Sequence, residues 1–198
     1  MSKRITELRD HIIESMLPDV PAEGWTMAGA QAACDEIGLP PDRLMAVFPD
    51  GLSDIVAHFS DWADRQMSEA LGKIKSPPTR IRDRVEQAVR TRLTILEPHK
   101  DALRLALAYW SVPPRHLRAG QIVWRTADRI WDWAGDQATD YNRYTKRGLL
   151  SGILTATALV WIKDESKDHE KTWGFLQNRI ENAMELGQII GGILPKKA

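Results

Sequence analysis

Residues 131–161 read WDWAGDQATDYNRYTKRGLLSGILTATALVW and decide the fold, because a charged, turn-rich segment leads into the longest uncharged stretch of the chain. No residue from Gly148 to Ile162 is ionisable, and apolar side chains fall on nearly every face of a helical wheel. In a soluble helix this pattern predicts burial on several sides. These residues rise only about 22 Å, which is shorter than the roughly 30 Å hydrocarbon core of a bilayer. The sequence therefore predicts a buried central helix and not a transmembrane one.

The charge balance and the cysteine content limit the function classes. The 198 residues carry 27 basic and 27 acidic side chains, so the chain lacks the net positive field that most nucleic-acid binders use. Cys34 is the only cysteine, which fits a reducing compartment. The first seventeen residues contain acids and lack a long apolar core, so they predict neither a signal peptide nor a transit peptide. We expect a cytoplasmic protein that associates with membranes.

The other segments also predict helices, and none alternates like a β-strand. Apolar residues repeat at helical spacing over 4–17, 26–37, 41–48, 50–72, 79–96, 100–112, 117–134 and from 166 onward. Thr26 and Ser166 are predicted N-caps, and Gly135 is a predicted C-terminal stop. We predict an all-α fold of about nine helices. The break KIKSPP at 73–78 separates a head with its connecting helix, 1–72, from a body, 79–198, and we expect the two to form one compact unit.

The head has the helix, turn and short helix of a helix-turn-helix, so its charge must be compared with that of a DNA reader. Such a reader presents basic side chains to the phosphates. Between Cys34 and Asp54 there are five acids against a single base, Arg43. Because these carboxylates repel phosphate groups, we expect no specific binding of duplex DNA.

No set of residues assembles into a catalytic or metal site. No Glu is followed by His three residues later, and there is no H-E-x-x-H pair, so neither a di-iron nor a zinc site is predicted. His58 and His169 each follow a carboxylate by four residues, a spacing that more often gives a surface hydrogen bond than a catalytic pair. We predict a protein that is not an enzyme and that holds no cofactor or metal.

Two motifs in the body are specific, namely AGDQATDYNRYTKRGLL at 134–150 and WGFLQNRIENAMELG at 173–187. On these motifs the chain resembles the accessory proteins of coenzyme Q (ubiquinone) biosynthesis over most of 79–187. The resemblance implies a tetracycline-repressor-like fold without the DNA-binding role. It also implies a protein that binds lipids of the ubiquinone pathway and presents polyprenyl intermediates to the di-iron demethoxyubiquinone hydroxylase. The alternative is a repressor-like transcriptional regulator with a hydrophobic effector.

Five of the eight tryptophans lie between 110 and 161, which predicts either an aromatic core or a wide apolar cavity. The candidate residues for binding an isoprenoid quinone or a phospholipid are Trp110, Trp124, Leu150, Ile153, Leu154 and Thr157. The hydroxyls of Ser151, Thr155 and Thr157 could meet a quinone ring. More often, such hydroxyls bond back to their own helix.

The corner before the central helix is the predicted partner-facing surface. It places aromatic and arginine side chains among polar groups, which is the composition of interface hot spots. The candidate residues for binding the hydroxylase are Asp128, Ile130, Trp131, Asp140, Arg143 and Tyr144. In the alternative interpretation, Thr139 or Asp140 only caps the central helix and the tyrosines pack on the corner.

The last two long helices predict a homodimer, since in repressor-like folds they form a four-helix interface. The chain after them has apolar residues at 186, 189, 190, 193 and 194, followed by Lys196 and Lys197. This composition suits a peripheral contact with anionic membranes. Packing of the same residues against the body is the competing interpretation.

Overall fold

The computed structural model describes residues 3–40, 42–137 and 141–193, with the backbone alone at 141 and 186–193. Every regular element in these ranges is helical, so the predicted all-α class is confirmed. The helices are α1 Lys3–Met16, α2 Val20–Glu23, α3 Met27–Glu36, α4 Arg43–Val47, α5 Leu52–Gly72, α6 Ile81–Leu96, α7 Lys100–Trp110, α8 His116–Ala134, α9 Tyr141–Ile162 and α10 Glu170–Ile193. Short 3-10 turns, Glu97–His99 and Lys167–His169, precede α7 and α10. No helix of the described ranges is long and apolar enough to cross a bilayer.

The predicted helix ends are confirmed at Thr26 and Gly135, where a single capping residue determines the end. The Thr26 hydroxyl accepts a hydrogen bond from the Gly29 amide at 3.0 Å at the start of α3. Gly135, with a φ of 85°, takes the left-handed conformation that ends α8. The short helix α2 was missed, since the sequence indicated only a connection there. Its first turn contains Pro21, where the missing amide hydrogen removes no helical hydrogen bond.

The chain forms two compact units. The first contains Met1–Gln66 and Ile95–Ile122, and the second contains Met67–Thr94 and Val123–Ala198. Residues 95–122, which the sequence analysis assigned to the body, therefore pack with the N-terminal helices. An aromatic cluster holds α5 in the first unit, where the Trp25 ring lies 5.0 Å from Phe59 and Phe59 stacks on Trp62. The Trp25 indole also donates to the Ala102 carbonyl at 3.0 Å, which ties α7 into the same core.

In the second unit, α9 packs against α10 and is buried on one face. The buried face carries Arg147, Leu150, Thr157, Ala158 and Trp161. The opposite face is exposed and carries Tyr144, Gly148, Gly152, Thr155 and Leu159. The prediction of burial on several sides is therefore wrong for the single chain, because an uncharged residue such as glycine or threonine does not require burial.

The start of α10 is fixed by Asp164 more than by the predicted cap, Ser166. The carboxylate of Asp164 accepts from the Thr172 amide at 2.9 Å and from the Ser166 amide at 2.8 Å. The Ser166 hydroxyl makes a longer contact with the Lys171 amide, at 3.2 Å. Burial of Asp164 opposes its ionisation, but hydrogen bonds from the Ser166 and Thr172 hydroxyls, together with the two amides, hold its pKa well below the usual range.

Candidate functional site

An ion cluster joins the end of α8 to the start of α9 and has the buried Arg147 at its centre. The Arg147 side chain is 2% exposed, and its guanidinium contacts three carboxylates. Its Nε donates to Asp128, while its two terminal nitrogens lie 3.0 Å from Asp136 and 3.3 Å from Asp132. Two further bases complete the cluster, since Lys146 contacts Asp136 at 2.6 Å and Arg143 contacts Asp128 at 3.2 Å.

The cluster shifts the pKa of Asp128 and that of Arg147. Burial of Asp128 acts to raise its pKa, but the hydrogen bond and charge of Arg147, with help from Arg143, hold that pKa below its usual value. Burial likewise acts to lower the pKa of Arg147, and the carboxylates of Asp128 and Asp136 raise it. Both partners are therefore fully charged at neutral pH.

The local sequence explains why these groups meet. Asp128 and Asp132 are four residues apart on α8, so they lie on one helical face. Asp136 continues the series beyond the turn at Gly135. A Cβ on Gly135 would lie 3.3 Å from Nη1 of Arg84, which donates to the Ala134 carbonyl and closes the end of α8. The sequence analysis did not identify Arg147 as the centre of this cluster. Three aspartates at intervals of four residues were the available signal, since such a series indicates a basic side chain that faces it.

Two of the predicted partner-binding residues lie beneath this corner and not on its surface. Ile130 is fully buried and Trp131 is 9% exposed. The Trp131 indole donates to the Lys146 carbonyl at 3.1 Å, and the Lys146 ammonium lies 5.5 Å from the Trp131 ring. These residues support the corner from within. Asp140, together with the alternative cap Thr139, lies outside the described residues.

The exposed part of the corner is an aromatic pair. Tyr144 is 63% exposed and Trp124 is 36% exposed, with ring centroids 6.3 Å apart. The Trp124 ring also lies 3.9 Å from the Cβ position of Gly148, an ordinary van der Waals distance, so the indole rests on α9. Trp124 was predicted to line a lipid cavity, but the structure places it beside Tyr144, at the predicted partner surface.

The other lipid candidates divide between the units. Trp110 is buried in the first unit, in an edge-to-face contact with Tyr109. Leu150 and Thr157 are buried on the inner face of α9, and Ile153 and Leu154 are half-buried. The second unit thus contains a mainly apolar inner face of α9, which holds four of the six candidates.

Of the three α9 hydroxyls considered for contact with a quinone ring, those of Ser151 and Thr155 differ from that of Thr157. Ser151 donates to the Arg147 carbonyl at 2.8 Å, and Thr155 donates to the Ser151 carbonyl at 3.0 Å. Both therefore bond back to their own helix, as such hydroxyls usually do. Thr157 is 0% exposed and its hydroxyl has no hydrogen-bond partner. No group of His, Cys, Asp or Glu side chains in the described ranges could hold a metal ion.

Sequence comparisons relate this site to a known family. Residues 118–187 match the family model COQ9, a range that includes the ion cluster and the aromatic pair. The chain is 33% identical over 193 residues to the Ubiquinone biosynthesis protein COQ9, mitochondrial, of Xenopus tropicalis, covering 91% of this chain and 59% of that protein. The Homo sapiens protein of the same name is 31% identical with the same coverage. The chain thus spans about three fifths of these relatives, and the family resemblance predicted from the two motifs is confirmed.

A solved structure has the same fold. The TetR transcriptional regulator from Nitrosomonas europaea superposes with a TM-score of 0.68, covering 90% of this chain and 99% of that chain at 17% identity. The tetracycline-repressor-like fold predicted from the resemblance is therefore confirmed. At this identity the likeness concerns the fold alone.

Proposed function

We propose that this chain is a lipid-binding accessory protein of ubiquinone biosynthesis that catalyses no reaction itself. It holds an isoprenoid quinone or a phospholipid and presents quinone intermediates to the di-iron demethoxyubiquinone hydroxylase. The observation that carries the proposal is the similarity, over 91% of the chain, to proteins named for ubiquinone biosynthesis. The family match covers the corner where an exposed aromatic pair lies beside a buried ion cluster.

The inner face of α9 supports the lipid-binding part. Leu150 and Trp161 are buried there, and Leu154 is half-buried beside them. Ligand sites for apolar molecules are lined mainly by such aliphatic and aromatic side chains, with few polar groups. Arg147 begins this face, and no residue from Gly148 to Ile162 is charged. An isoprenoid chain fits this chemistry.

Lipid extraction tests this part directly. The purified protein should release an isoprenoid quinone or phospholipid that mass spectrometry detects at a stoichiometric level. The variant Leu154→Trp should carry less lipid, because the larger ring takes the place of the proposed lipid at the inner face of α9. Leu117→Trp is the matched control, since Leu117 is 83% exposed and belongs to the first unit. A protein that carries no lipid and takes up none from vesicles would contradict the proposal.

The pair Trp124 and Tyr144 supports the hydroxylase-binding part. An exposed aromatic pair rimmed by charges has the composition of an interface hot spot. Arg143, on the same helix as Tyr144, supplies the rim together with Asp128, which it contacts at 3.2 Å. We assign the hydroxylase to this surface. Because Asp128 and Arg143 pair with each other, their positions are fixed before the partner binds. In this proposal the ion pair and the two aromatic rings form one preformed surface for the hydroxylase.

Capture of the purified di-iron hydroxylase tests this assignment. Tyr144→Ala and Arg143→Glu should each weaken capture by about tenfold or more, and each should leave thermal unfolding nearly unchanged because both side chains are substantially exposed. Met45→Ala, in the first unit and 53% exposed, is the control. If either corner variant unfolds outright, or both capture the hydroxylase as the wild type does, the corner is structural.

The exposed face of α9 supports a homodimer. Gly148, Gly152, Thr155 and Leu159 give it an uncharged surface, and Met184 of α10 is 42% exposed. A Cβ at Gly152 would meet nothing within 4 Å, so a long side chain fits the single chain there. Gly152→Arg should therefore give a folded monomer by light scattering, since a buried charge disrupts an apolar interface. A wild-type protein that is monomeric at micromolar concentration would contradict the dimer.

The tail and the head carry the remaining proposals. Residues 194–198 lie outside the described residues, and a membrane contact of 186–198 predicts weaker liposome co-sedimentation when residues 186–198 are deleted.

A transcriptional regulator would fit the fold of the Nitrosomonas protein, but residues 1–66 carry twelve acidic and five basic side chains. That charge repels phosphates. Sequence-selective binding of duplex DNA at submicromolar protein would favour the regulator.

A further inference from the structure

Of the hydroxyls at Ser151, Thr155 and Thr157 on α9, that of Thr157 alone has no hydrogen-bond partner. Its side chain is 0% exposed, and its oxygen makes no hydrogen bond to α9 or to any other group in the described part of the chain. A buried hydroxyl without a hydrogen bond has lost its hydration without compensation, which destabilises the fold. Ser151 and Thr155 avoid this cost through the carbonyl four residues before each of them. Thr157 makes no such bond to the backbone carbonyl four residues before it.

The surroundings of Thr157 on its own helix are apolar. Leu150 lies seven residues before it and Trp161 four residues after it, both buried on the same face. A hydroxyl is a donor and an acceptor, so on such a face it marks the place where a polar atom of a bound molecule can be recognised. A second helix of the same unit adds a similar feature, because the side-chain carbonyl of Gln87 on α6 is also buried without a partner.

We infer that the Thr157 hydroxyl donates a hydrogen bond to a ring oxygen of the bound lipid, and so orients a quinone head inside the second unit. The inference rests on the proposed lipid-binding function and specifies its ligand as one with a carbonyl or phenolic oxygen at the end of an apolar chain. Thr157 is then a residue that positions and selects the ligand, and the apolar residues around it supply most of the affinity.

Two ligands and three variants test this assignment on the full chain after removal of co-purified lipid. The ligands are a decyl-substituted dimethoxy-methyl-1,4-benzoquinone, which quenches tryptophan fluorescence, and a C15 isoprenoid hydrocarbon without oxygen, which competes with it. Thr157→Val removes the hydroxyl and keeps the shape. Thr157→Ser keeps the hydroxyl, and Thr155→Val removes a hydroxyl of the same helix that is exposed and already bonded.

Thr157→Val should weaken quinone binding about tenfold, the effect of one lost hydrogen bond to a buried partner. It should leave hydrocarbon binding within twofold. Thr157→Ser and Thr155→Val should bind the quinone within about threefold of the wild type. The unliganded Thr157→Val protein should unfold at the same temperature as the wild type or higher, since the substitution removes an unsatisfied polar group.

Other results overturn the inference and separate it from the proposed function. If Thr157→Val binds the quinone as the wild type does, Thr157 does not meet the ring, and lipid binding stands. Equal weakening of quinone and hydrocarbon binding, or a melting temperature lowered by several degrees, shows that Thr157 only shapes or holds the fold. A wild-type protein that binds neither ligand removes both the inference and the lipid-binding proposal.

Discussion

Each unit of the chain holds a buried basic group among carboxylates, but the two groups differ in whether they titrate near neutral pH. In the first unit, the imidazole of His58 lies 2.7 Å from Asp10, and Asp10 also accepts two bonds of 2.6 Å from Arg65. In the second unit, the group at the centre is Arg147, with Asp128, Asp132 and Asp136 around it. Arginine stays charged at any pH the fold survives. Two clusters of similar appearance should therefore respond differently to acid.

The clusters also differ in what they hold together. His58 and Arg65 lie on α5 and Asp10 lies on α1, so the first cluster fixes the packing of the head. Arg147 ties α9 to the end of α8 through Asp128, and these two residues lie about one helical turn along from Tyr144 and Trp124. Loss of the first cluster should loosen the packing of the head. Loss of the second should loosen the contact between α8 and α9, and it should also disturb the proposed binding surface.

The largest effect is expected from Arg147→Met. The change removes the guanidinium from Asp136, whose side chain is 3% exposed and also contacts Lys146, and it leaves Asp128 with Arg143. Breaking one side of a buried ion pair costs about 3–5 kcal/mol, and the remaining partners place this case at the lower end. Urea unfolding should measure the loss. Arg143→Met is the control, because its side chain is 43% exposed and such pairs contribute about 0–1 kcal/mol. Equal losses for the two variants would contradict a central role for Arg147.

A smaller effect is expected from acid on the first unit. Burial lowers the pKa of His58 more than the neighbouring Asp10 and Asp61 raise it, so the folded protein binds a proton at lower pH than the unfolded chain. The unfolded state then holds more protons, and the free energy of unfolding decreases as the pH falls below about 6.5. Burial also lowers the pKa of His99 in the same unit. Between pH 7 and 5, the decrease should come mainly from these two histidines.

Urea unfolding at pH 7, 6 and 5 measures this dependence. His58→Gln should flatten the pH dependence of stability, with the part due to His99 remaining. His11→Gln is the matched control, since His11 is an exposed histidine of α1 in the same unit. An unchanged pH dependence in the His58 variant would show that the imidazole does not control the acid response of the head.

The sequence predicted helices and their ends far better than it predicted these clusters. Thr26 and Gly135 act within one turn of the chain, so their effect on the backbone is local and readable. The partner of His58 is different, because Asp54 has the favourable spacing of four residues but contacts Arg118, while Asp10 is 48 residues away. The packing of α1 on α5 decides that contact, and no local pattern reports it. Of the proposed lipid contacts, the sequence could name the hydroxyls of α9 but not which of them lacks a partner.

The smallest effect is expected from Asp132, which belongs to the same cluster as Asp136. Asp132 lies 3.3 Å from Arg147 and Asp136 lies 3.0 Å from it, so distance alone would rank the two pairs as similar. Their exposure differs, since the Asp132 side chain is 63% exposed and water screens its charge. Exposed ion pairs contribute about 0–1 kcal/mol. Asp132→Asn should therefore change the free energy of unfolding by less than about 0.5 kcal/mol. The dependence of that free energy on salt concentration should stay as it is in the wild type. A loss above about 1.5 kcal/mol in urea would show that Asp132 acts as a buried partner of Arg147, and that burial does not separate the members of this cluster.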